Sequence, residues 1–470
     1  MEAVKQNINF GYMAGLSVVA ALGGFLFGYD AAVVSGTVSQ VASQFALDEL
    51  QVGWFVGCAL IGSIVGVAFA GKMSDSCGRK HTLLAAALFF AVSGAGCAFS
   101  TSFPMLVVSR MIGGIGIGVV SIVSPLYISE ISVARYRGQL VSLYQLAVTI
   151  GFLGAYLANY GLLHFSQSGA AFGSEWMHRI FVSEVWRGML GLSGVPAILL
   201  FVFIYFIPES PRWLVLRGRD DRALGVFKKV YRNDADARAQ LAETRSVIGS
   251  ETRSDWKELL RPGILKAVII GAAIAILGQF MGVNAVLYYG PTIFEQAGLS
   301  GGDALFSQVL VGIVNAVTTI IAVFIIDRVG RKTLVYYGVS GMVVSLLLIG
   351  FYFQFGESVG LGNTFLLTFF LLYVFCCAIS ISAVIFVLLS EMYPTRVRGM
   401  AMSVAGFSLW VGTYLVGQLT PWLLHNATPA GTFLIFALMC VPYILIVWKL
   451  MPETTGKSLE EIERYWTKDN

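Results

Sequence analysis

Twelve long apolar stretches follow one another along this chain of 470 residues, and they constrain its fold more than any other feature. A membrane-spanning helix needs roughly 20 predominantly apolar residues. Only 12% of the residues are charged, whereas a soluble domain carries about 25%. We therefore predict an all-α membrane protein with twelve transmembrane helices. The predicted spans cover residues 12–36, 52–71, 82–100, 104–129, 139–164, 188–207, 264–294, 304–326, 333–353, 364–392, 401–424 and 431–451.

Three short motifs occur twice, once in each half of the chain and in the same order. The pairs are DSCGRK at 75–80 with DRVGRK at 327–332, SEISVARYRG at 129–138 with SEMYPTRVRG at 390–399, and PE at 208–209 with PE at 452–453. Such a repeat indicates a duplicated unit of six helices. Two similar bundles that meet around a central cavity can expose it to either side in turn, which is the arrangement of alternating-access transporters.

The repeat also divides the chain into four predicted parts. These are an N-terminal six-helix bundle at 1–207, an intracellular helical linker at 208–262, a C-terminal six-helix bundle at 263–451 and a cytoplasmic tail at 452–470. Basic residues accumulate in cytoplasmic loops. With both termini in the cytoplasm, the outward-facing segments contain only Arg179 and Arg187 as basic residues, so we predict that orientation. We expect the linker to form a few short helices, one of them over 220–232.

The repeated motifs place acids and bases at the predicted cytoplasmic ends of neighbouring spans. Topogenic charge alone would explain the bases, but it does not require matched acids. We interpret the set as gating charges, which pair within or between bundles while the cytoplasmic side is closed and separate when it opens. The gating charges are Asp75, Arg79, Glu130, Arg137, Asp327, Arg331, Glu391 and Arg398.

Two charged residues, Asp30 and Arg110, lie inside predicted spans rather than at their ends. A charge at the centre of a bilayer costs roughly 2.5–3.5 kcal/mol on insertion scales, so such residues usually face a cavity and pair. A neighbouring guanidinium favours the ionised carboxylate, whereas a carboxyl buried without it holds a proton. We therefore predict that Asp30 carries a proton and that its protonation is coupled to the movement of Arg110. The alternative is a static structural ion pair.

Carboxamide and aromatic residues within the spans are candidates for binding a polar, uncharged solute. The carboxamides are Gln145, Gln279, Asn284 and Asn315, and the aromatic residues are Phe27, Tyr288, Phe386 and Trp410. Each carboxamide offers donors and acceptors at once, as ligands rich in hydroxyl groups require. One such residue in a membrane is more often a contact between helices, but several on helices that line one predicted cavity favour a substrate site. The spans lack paired basic residues for an anionic substrate.

Composition argues against nucleic-acid binding, metal binding and catalysis. The formal net charge of +4 gives no electrostatic footprint for nucleic acid. The cysteines show no disulfide or metal-ligand spacing, and the histidines fall in or near loops. We therefore expect no enzymatic activity and no metal or other cofactor, with the proton as the coupling ion. The expected partners are a small sugar, the proton and the lipid bilayer, and nothing in the sequence requires more than a monomer.

Six segments carry a resemblance to a known family. They are GKMSDSCGRK at 71–80, RMIGGIGIG at 110–118, PESPRWL at 208–214, QFMGVNAVLYY at 279–289, DRVGRK at 327–332 and PETTGKSLEE at 452–461. In this order, over nearly the whole chain, they resemble the sugar porter family of the major facilitator superfamily, and within it the bacterial xylose–proton symporters. The resemblance implies the major facilitator fold and proton-coupled import of a small neutral monosaccharide, a pentose or hexose such as xylose. It also implies that the sugar is contacted by Gln145, Gln279, Asn284, Tyr288 and Asn315 and flanked by Phe27 and Trp410.

Three positions depart from the family pattern. Gly278 and Leu409 stand where the family has carboxamides, and Phe386 stands where it has a tryptophan. The Gly-Pro pair that usually precedes this tryptophan is replaced by Ser382-Ala383, so the bending of the tenth span needs another explanation. Each lost hydrogen bond is worth about 0.5–1.5 kcal/mol. We therefore expect weaker binding of xylose or glucose, or a preference for another pentose, a deoxy sugar or a polyol.

We predict a proton-coupled sugar symporter of the bacterial plasma membrane, the inner membrane of the cell. The short predicted outer loop at 37–51 favours a bacterial membrane. Facilitative relatives that resemble this chain have asparagine where it has Asp30, which favours proton coupling. One alternative is a facilitative sugar or polyol uniporter in which Asp30 is only structural. The other is a sugar sensor that does not transport, but a sensor usually needs a long cytosolic extension, and only 452–470 follow the last predicted span.

Overall fold

The structure is a computed structural model that describes residues 8–168, 174–250, 256–393 and 397–451. Within these residues, twelve helices are long and apolar enough to cross a membrane, which confirms the predicted number of spans. Their bounds are Phe10–Gly36, Glu49–Cys77, Arg79–Phe99, Phe103–Ile131, Arg137–Gln167, Val185–Phe206, Pro262–Gln296, Gly301–Ala322, Arg331–Val359, Asn363–Leu389, Arg398–Asn426 and Thr428–Leu450. The helix of the eighth span continues to Val329. Most spans extend slightly beyond the apolar stretch, because the helix continues into the polar residues that flank it.

The remaining helices lie between the spans. Outside the linker they are Val38–Phe45, Glu175–His178 and a π-helical turn at Arg179–Ser183, and in the linker they are Pro211–Leu216, Asp220–Val230, Asp234–Ser250 and a 3₁₀ segment at Trp256–Leu260. The helix predicted over 220–232 is therefore confirmed, with a slightly earlier end. Its first turn carries Asp220 and Asp221 and its last turn Lys228 and Lys229, which complements the helix dipole.

Several spans are interrupted. The interrupted spans are the first (Phe10–Val33 and Val34–Gly36), the sixth (Val185–Gly191 and Gly194–Phe206), the seventh (Pro262–Phe280 and Val283–Gln296) and the tenth (Asn363–Cys377, Ala378–Ser382 and Ala383–Met392). Irregular backbone at membrane depth must find its hydrogen-bond partners within the protein. These interruptions therefore bring side chains from other spans to the freed backbone groups.

The chain packs as two compact units, and the first contains the described residues of Met1–Ala31, Ile61–Ala155 and Arg187–Arg253. In this unit the third span packs along the fourth and the sixth. The three α-helices of the linker belong to the same unit, whereas its 3₁₀ segment at Trp256–Leu260 belongs to the second unit. An isolated β-bridge joins Ile8 to Tyr231 at the end of the middle linker helix, so the start of the chain and the linker are held together.

The second unit contains the described residues of Ala32–Leu60, Tyr156–Trp186 and Ser254–Asn470. In it the seventh span packs against the eleventh, and the ninth packs against the tenth and the twelfth. The unit also includes the predicted outer ends of the first, second and fifth spans. Because this packing groups residues across the sequence repeat, the boundaries of the bundles, linker and tail stay a prediction. The tail at 452–470 lies outside the described residues.

The position of Arg187 corrects one prediction. The sequence predicts Arg187 in an outward-facing loop, but the sixth span begins at Val185, and Arg187 is 1% exposed. Its Nη1 donates to the carbonyl oxygens of Ala98, at 3.3 Å, and of Ser100 at the end of the third span. A helix C-terminus leaves such carbonyl groups without helical partners, and a cation there is favourable. The prediction was wrong because a charged residue was taken to end the apolar span, whereas backbone oxygens satisfy this charge inside the protein.

Candidate functional site

The acid and the base predicted inside the spans both lie in the interior of the first unit. Asp30 is 4% exposed and Arg110 is 2% exposed. A Cβ at Gly113, one turn after Arg110 on the fourth span, would lie 3.5 Å from Asp30 Oδ1, and the charge of Arg110 acts on the carboxyl group. Among the described residues, Asp30 Oδ2 has no hydrogen-bond partner. The structure thus brings the two residues together, and their role in proton coupling stays a prediction.

A break in the seventh span positions two of the predicted sugar-binding carboxamides. The first helical segment ends just after Gln279, and the second begins just before Asn284. Gly282, between the segments, has a φ of 92°, in the left-handed region that glycine adopts without a steric penalty. The two carboxamides therefore lie on either side of a turn rather than along one continuous helix.

The backbone at this break is held by two aromatic residues of the second unit. Tyr373 of the tenth span donates a hydrogen bond of 2.7 Å to the carbonyl oxygen of Met281. Phe436 of the twelfth span packs so closely that a Cβ on Gly282 would lie 2.5 Å from its ring. A larger residue at the turn would therefore need both an unfavourable φ and a displaced ring, which explains why glycine occupies it.

The two carboxamides hydrogen-bond each other and share a hydroxyl group from the eleventh span. Asn284 Nδ2 donates to Gln279 Oε1 at 2.7 Å, and Thr413 Oγ1 lies 3.1 Å from the same oxygen. Thr413 Oγ1 also lies 2.9 Å from the carbonyl oxygen of Leu409 in its own helix. Thr413 is 5% exposed, whereas Gln279 and Asn284 are half-buried. Both carboxamides are therefore partly accessible, whereas Thr413 is not.

The other predicted sugar-binding residues are distributed over both units. In the first unit Phe27 is half-buried and Gln145 is exposed. In the second unit Tyr288 is buried, and Asn315 and Trp410 are half-buried. Their assignment as sugar contacts stays a prediction, as does that of Gln279 and Asn284.

The tenth span changes its helical geometry without a proline. A π-helical turn at Ala378–Ser382 ends at the first of the two positions where the family has Gly-Pro, and Ser380 Oγ donates to the carbonyl oxygen of Cys376 at 2.5 Å. Turns of this kind frequently occur at functional sites, because the extra residue changes the direction of the side chains that follow. Phe386 follows in the helix Ala383–Met392, but its side chain lies outside the described residues.

Proline removes a backbone donor in the seventh span, and side chains of two other spans replace it. Pro291 lacks the N–H group that would bond the carbonyl oxygen of Leu287, four residues earlier. Tyr156 of the fifth span donates its hydroxyl hydrogen to this oxygen at 2.9 Å, and Gln308 Nε2 of the eighth span donates to it at 3.3 Å. The carbonyl oxygen that Pro291 leaves without a helical donor thus accepts a hydrogen bond from the fifth span, which belongs to the other half of the sequence repeat.

The eleventh span contains a second vacancy of the same kind. Pro421 lacks the N–H group for the carbonyl oxygen of Gly417, and Tyr289 of the seventh span donates to this oxygen at 2.5 Å. Next to it, Gln418 Nε2 donates to the carbonyl oxygen of Leu50 in the second span at 2.9 Å. Within the second unit, the predicted outer ends of the second and fifth spans therefore contact the seventh and eleventh spans directly.

The gating charges of the first unit form a buried cluster around Arg79. Its Nε and Nη2 donate to both carboxylate oxygens of Glu130 at 2.9 and 2.8 Å, and the two side chains are 5% and 3% exposed. Ser210 of the linker donates to Glu130 Oε2 at 2.5 Å. Asp75 lies 3.1 Å from Arg79 Nη1, but its side chain is 73% exposed. Glu130 is therefore the principal counter-charge of Arg79.

The linker also caps the third span. Glu209 Oε1 accepts hydrogen bonds from the backbone N–H groups of Arg79 and Lys80 at 2.9 and 3.1 Å. These are N–H groups that a helix N-terminus leaves without helical partners, and a carboxylate there complements the helix dipole. Trp213 adds a bond from Nε1 to the carbonyl oxygen of Asp75 at 2.9 Å. The linker is thus fastened to the charged end of the first unit at several points.

In the second unit, Arg331 and Glu391 form an ion pair of 3.1 Å between Nη2 and Oε1. These residues occupy the motif positions of Arg79 and Glu130. Arg398 Nη2 lies 3.5 Å from the carbonyl oxygen of Tyr393. The side chain of Asp327 lies outside the described residues. Both halves therefore use the same arginine–glutamate pairing, and its role in gating stays a prediction.

Arg137, the remaining gating charge of the first unit, is exposed, and its positive charge interacts electrostatically with Tyr231 of the linker. Burial raises the pKa of Tyr231 to about 12, the carboxylates of Glu243 and Asp236 add to the increase, and the charge of Arg137 opposes it. The counter-charge of Glu130 in this structure is thus Arg79 rather than Arg137.

The sequence analysis did not identify several residues that organise the site. Thr413 gave no signal, because threonine in a membrane helix usually bonds its own backbone. Tyr156, Tyr289 and Gln308 could have been sought, since each proline inside a span leaves a carbonyl oxygen four residues earlier without a donor. The sequence does not say which side chain reaches that oxygen.

Comparisons with known proteins agree with the fold. A family model described as sugar (and other) transporter matches residues 16–466. The arabinose-proton symporter of Bacillus subtilis (strain 168) is 35% identical over 465 residues, covering 99% of this chain and 97% of that protein. The D-xylose-proton symporter of Escherichia coli (strain K12) is 36% identical over 497 residues, covering 98% and 97%. The inward open conformation of the xylose transporter XylE from E. coli matches with a TM-score of 0.83 at 33% identity, covering 97% of this chain and 100% of that one. This likeness confirms the predicted fold.

Proposed function

This chain belongs to the sugar transporter family of multi-pass membrane carriers, and we propose that it is a proton-coupled symporter that imports a small neutral monosaccharide by alternating access. The observation that carries the proposal is the buried Asp30 carboxyl group beside Arg110 in the first unit. A membrane acid in the protein interior has a functional role by default, because burying it is costly. Relatives named as proton symporters of arabinose and xylose support the same reading.

The substrate class follows from the uncharged side chains of the second unit. Gln279 and Asn284 are half-buried carboxamides at a break in a span, and such groups bind hydroxyl groups through paired donors and acceptors. Arabinose, xylose and glucose all occur in the names of relatives, but Gly278 and Leu409 remove polar groups that would help to bind xylose or glucose. We therefore propose a small neutral monosaccharide, a pentose or hexose such as xylose, without choosing among the isomers.

The proposed cycle couples one proton to one sugar. In the outward-open state Asp30 takes up a proton, Arg110 is released, and the sugar binds mainly through Gln279 and Asn284. The bundles then rock, the gating charges separate, and the sugar leaves to the cytoplasm. Asp30 loses its proton and pairs again with Arg110 for the return. One charge crossing about 100 mV supplies ~2.3 kcal/mol, and ~1.4 kcal/mol corresponds to a tenfold ratio, so one proton supports roughly 50-fold accumulation.

The packing of the second unit supports a state that is closed to the outside. Tyr156 bonds the Leu287 carbonyl oxygen, Tyr289 bonds that of Gly417, and both contacts lie toward the predicted outer end. The solved relative with a TM-score of 0.83 is in an inward open conformation. We propose that opening to the outside requires the bond between Tyr156 and Leu287 to break.

We further propose a bacterial inner membrane location with both termini in the cytoplasm. The basic residues of the predicted cytoplasmic segments support this orientation. The proposed partners are the sugar, the proton and the bilayer, with a monomer as the functional form. The family and the relatives are transporters, so we propose no enzymatic activity and no cofactor besides the coupling proton.

Reconstitution of Asp30→Asn into proteoliposomes tests the coupling. Asparagine keeps the size of the side chain but cannot carry a proton. Under an imposed inward proton gradient, the wild-type protein should accumulate radiolabelled D-xylose or D-glucose, whereas Asp30→Asn should lose accumulation and retain exchange of labelled against unlabelled sugar. A facilitative uniporter would retain the exchange and show no accumulation even in the wild-type protein.

A matched control is Asp234→Asn, which removes the same charge from an exposed carboxylate of the linker. It should leave both accumulation and exchange unchanged. Undiminished accumulation by Asp30→Asn would refute the role of Asp30. A protein that binds sugar but neither accumulates nor exchanges it would instead be a sensor.

A further inference from the structure

We propose that Tyr443 of the twelfth span is a specificity-determining residue, whose hydroxyl group hydrogen-bonds the sugar in place of the carboxamide that this chain lacks at Gly278. The inference rests on the proposed function, because it concerns how the same site recognises its substrate. It brings the twelfth span into the site, although the sequence analysis found no candidate residue there.

The aromatic ring of Tyr443 takes up space beside Gly278. A Cβ on Gly278 would lie 3.7 Å from Tyr443 Cε2 and 3.7 Å from Ile381 Cγ2 of the tenth span. These are ordinary van der Waals distances, so the Cβ of an alanine would fit, whereas a longer side chain that extends toward the ring would meet it. A carboxamide side chain at this position and the ring of Tyr443 would therefore compete for the same space.

The hydroxyl group of Tyr443 is buried and unpaired. Tyr443 is fully buried, and among the described residues its hydroxyl oxygen has no hydrogen-bond partner. An unpaired buried hydroxyl group destabilises a protein, so a buried tyrosine usually finds a partner. Tyr373 does so in the same unit, where it donates to the Met281 carbonyl oxygen at 2.7 Å. The protein thus leaves the hydroxyl group of Tyr443 available to a ligand.

The surroundings of this hydroxyl group indicate that the ligand is the sugar. The group is attached to Cζ, the ring atom next to Cε2, so it lies on the side of the twelfth span that faces Gly278. Gln279, the next residue of the seventh span, is half-buried and is a proposed sugar contact. A phenol hydroxyl group both donates and accepts, as a carboxamide does, so it suits a sugar hydroxyl group.

Ile381 is the side chain that we expect to move when the sugar reaches Tyr443. It packs against the same space beside Gly278, and it belongs to the π-helical turn Ala378–Ser382. Such turns frequently occur at functional sites. The tenth span would then close on the sugar from one side, while the seventh and twelfth spans supply the polar contacts.

Tyr443→Phe tests the inference, because it removes the hydroxyl group and keeps the ring. The measurement is Kd by titration calorimetry on the purified protein, with D-xylose, L-arabinose and D-glucose as the probes. For the probe that binds best, loss of one hydrogen bond should weaken binding about fivefold. A hydroxyl group that is buried but unused predicts instead an unchanged Kd and a higher apparent melting temperature, since the substitution then removes an unpaired polar group. That result would overturn the inference.

Monodeoxy analogues of the same sugar test whether the contact is direct. In the wild-type protein, the analogue that lacks the hydroxyl group facing Tyr443 should bind about fivefold more weakly than the parent sugar. In Tyr443→Phe the same analogue should bind within about twofold of the parent sugar, because its partner is already gone. An equal loss for the parent sugar and every analogue would also overturn the inference, because it would indicate altered packing rather than a lost contact.

A pair of substitutions tests whether the hydroxyl group replaces a carboxamide. Gly278→Gln alone should weaken sugar binding, because the new side chain meets the ring of Tyr443. Combined with Tyr443→Ala, it should bind the sugar at least about threefold more tightly than Tyr443→Ala alone, since the polar group is then supplied from the seventh span. A double variant that binds no more tightly than Tyr443→Ala would refute the replacement.

Tyr393→Phe is the matched control. Tyr393 is also buried, its hydroxyl oxygen has no hydrogen-bond partner among the described residues, and it lies against Gly271, about two turns before Gly278 in the same span. This variant should leave every Kd unchanged, and a loss equal to that of Tyr443→Phe would overturn the inference while leaving the proposed function intact. A wild-type protein that binds none of the three sugars would overturn the proposed function and this inference with it.

Discussion

Tyr156→Phe removes a single hydroxyl group from the predicted outer end of the fifth span and should shift the balance between the two access states. Tyr156 is 1% exposed, and its hydroxyl group bonds the Leu287 carbonyl oxygen at 2.9 Å. Pro291 has already removed the helical donor to this oxygen. Among the described residues, the oxygen then keeps Gln308 Nε2 as a donor, at 3.3 Å.

The size of the shift follows from the hydrogen bond that is lost. A typical hydrogen bond contributes about 0.5–1.5 kcal/mol net, and ~1.4 kcal/mol is a factor of ten, so a loss of about 1 kcal/mol changes the ratio of states about fivefold. The carbonyl oxygen is not fully deprived of donors, which keeps the effect near this value. We therefore expect about fivefold more of the outward-open state. The fraction of outward-open protein is measured by double electron–electron resonance between spin labels at exposed outer-end positions of the second and eleventh spans. The labels are introduced in a variant in which the exposed Cys77 has been replaced, so that this cysteine is not labelled.

Pro291→Ala supplies the decisive comparison. Alanine restores a backbone N–H group that can bond the Leu287 carbonyl oxygen. In this background, Tyr156→Phe should change the ratio of outward-open to outward-closed protein less than about twofold. Tyr352→Phe removes a tyrosine hydroxyl from an exposed bond to Asn363 and should have no effect. The reasoning would be refuted by an unchanged distance distribution in Tyr156→Phe. It would be refuted equally by the same shift in both backgrounds.

Two further predictions concern charges that the structure buries. Arg187→Met removes the charged donor that bonds the carbonyl oxygens at the end of the third span. Hydrogen bonds from charged groups contribute about 1.5–3 kcal/mol each. The apparent melting temperature in detergent should therefore fall by several degrees. Arg179→Met, which changes a half-buried arginine whose side chain is 40% exposed, should lower it less, and equal melting temperatures for both would contradict the capping role. Glu130→Gln leaves Arg79 buried without its principal counter-charge, so sugar exchange in proteoliposomes should slow at least about tenfold while the Kd for sugar stays constant. Asp75→Asn, which alters the exposed acid beside the same arginine, should change exchange less than about twofold, and a larger effect than that of Glu130→Gln would reverse the assignment.

The fold could be predicted from the sequence because each span must be apolar along its own length. That requirement is local, so the number of spans was visible before any contact was known. The linker helix Asp220–Val230 was visible for the same reason, through its apolar spacing. The duplicated halves were indicated separately, by the repeated motifs. The position of Arg187 was predicted wrongly because the hydrogen bonds that offset the cost of burying its charge are not made by its neighbours in sequence. The carbonyl oxygens that accept from it belong to residues far away in the chain.

Only the carboxamides of the candidate site could be predicted, and not the residues that contact and hold them. The carboxamides Gln279 and Asn284 could be recognised as polar residues in apolar surroundings, and the family resemblance pointed to the same positions. Thr413 could not, because a threonine in a membrane helix is satisfied by its own backbone, and its second bond to Gln279 depends on how two spans pack. The partners of Arg79 were also only partly predictable, since the sequence offers several acids and packing selects Glu130.

The attachment of Pro208–Ser210 bears on how this chain arose. Glu209 and Ser210 follow the sixth span in sequence, yet they complete the charge cluster of Arg79 and Glu130 and cap the third span. A half that ended with its sixth span would have left these buried charges and N–H groups incomplete. The chain repeats its Pro-Glu pair at 452–453, which is the pattern expected if the duplicated unit included this short extension. The repeated unit of this fold is thus six spans together with the few polar residues that follow the sixth span in sequence.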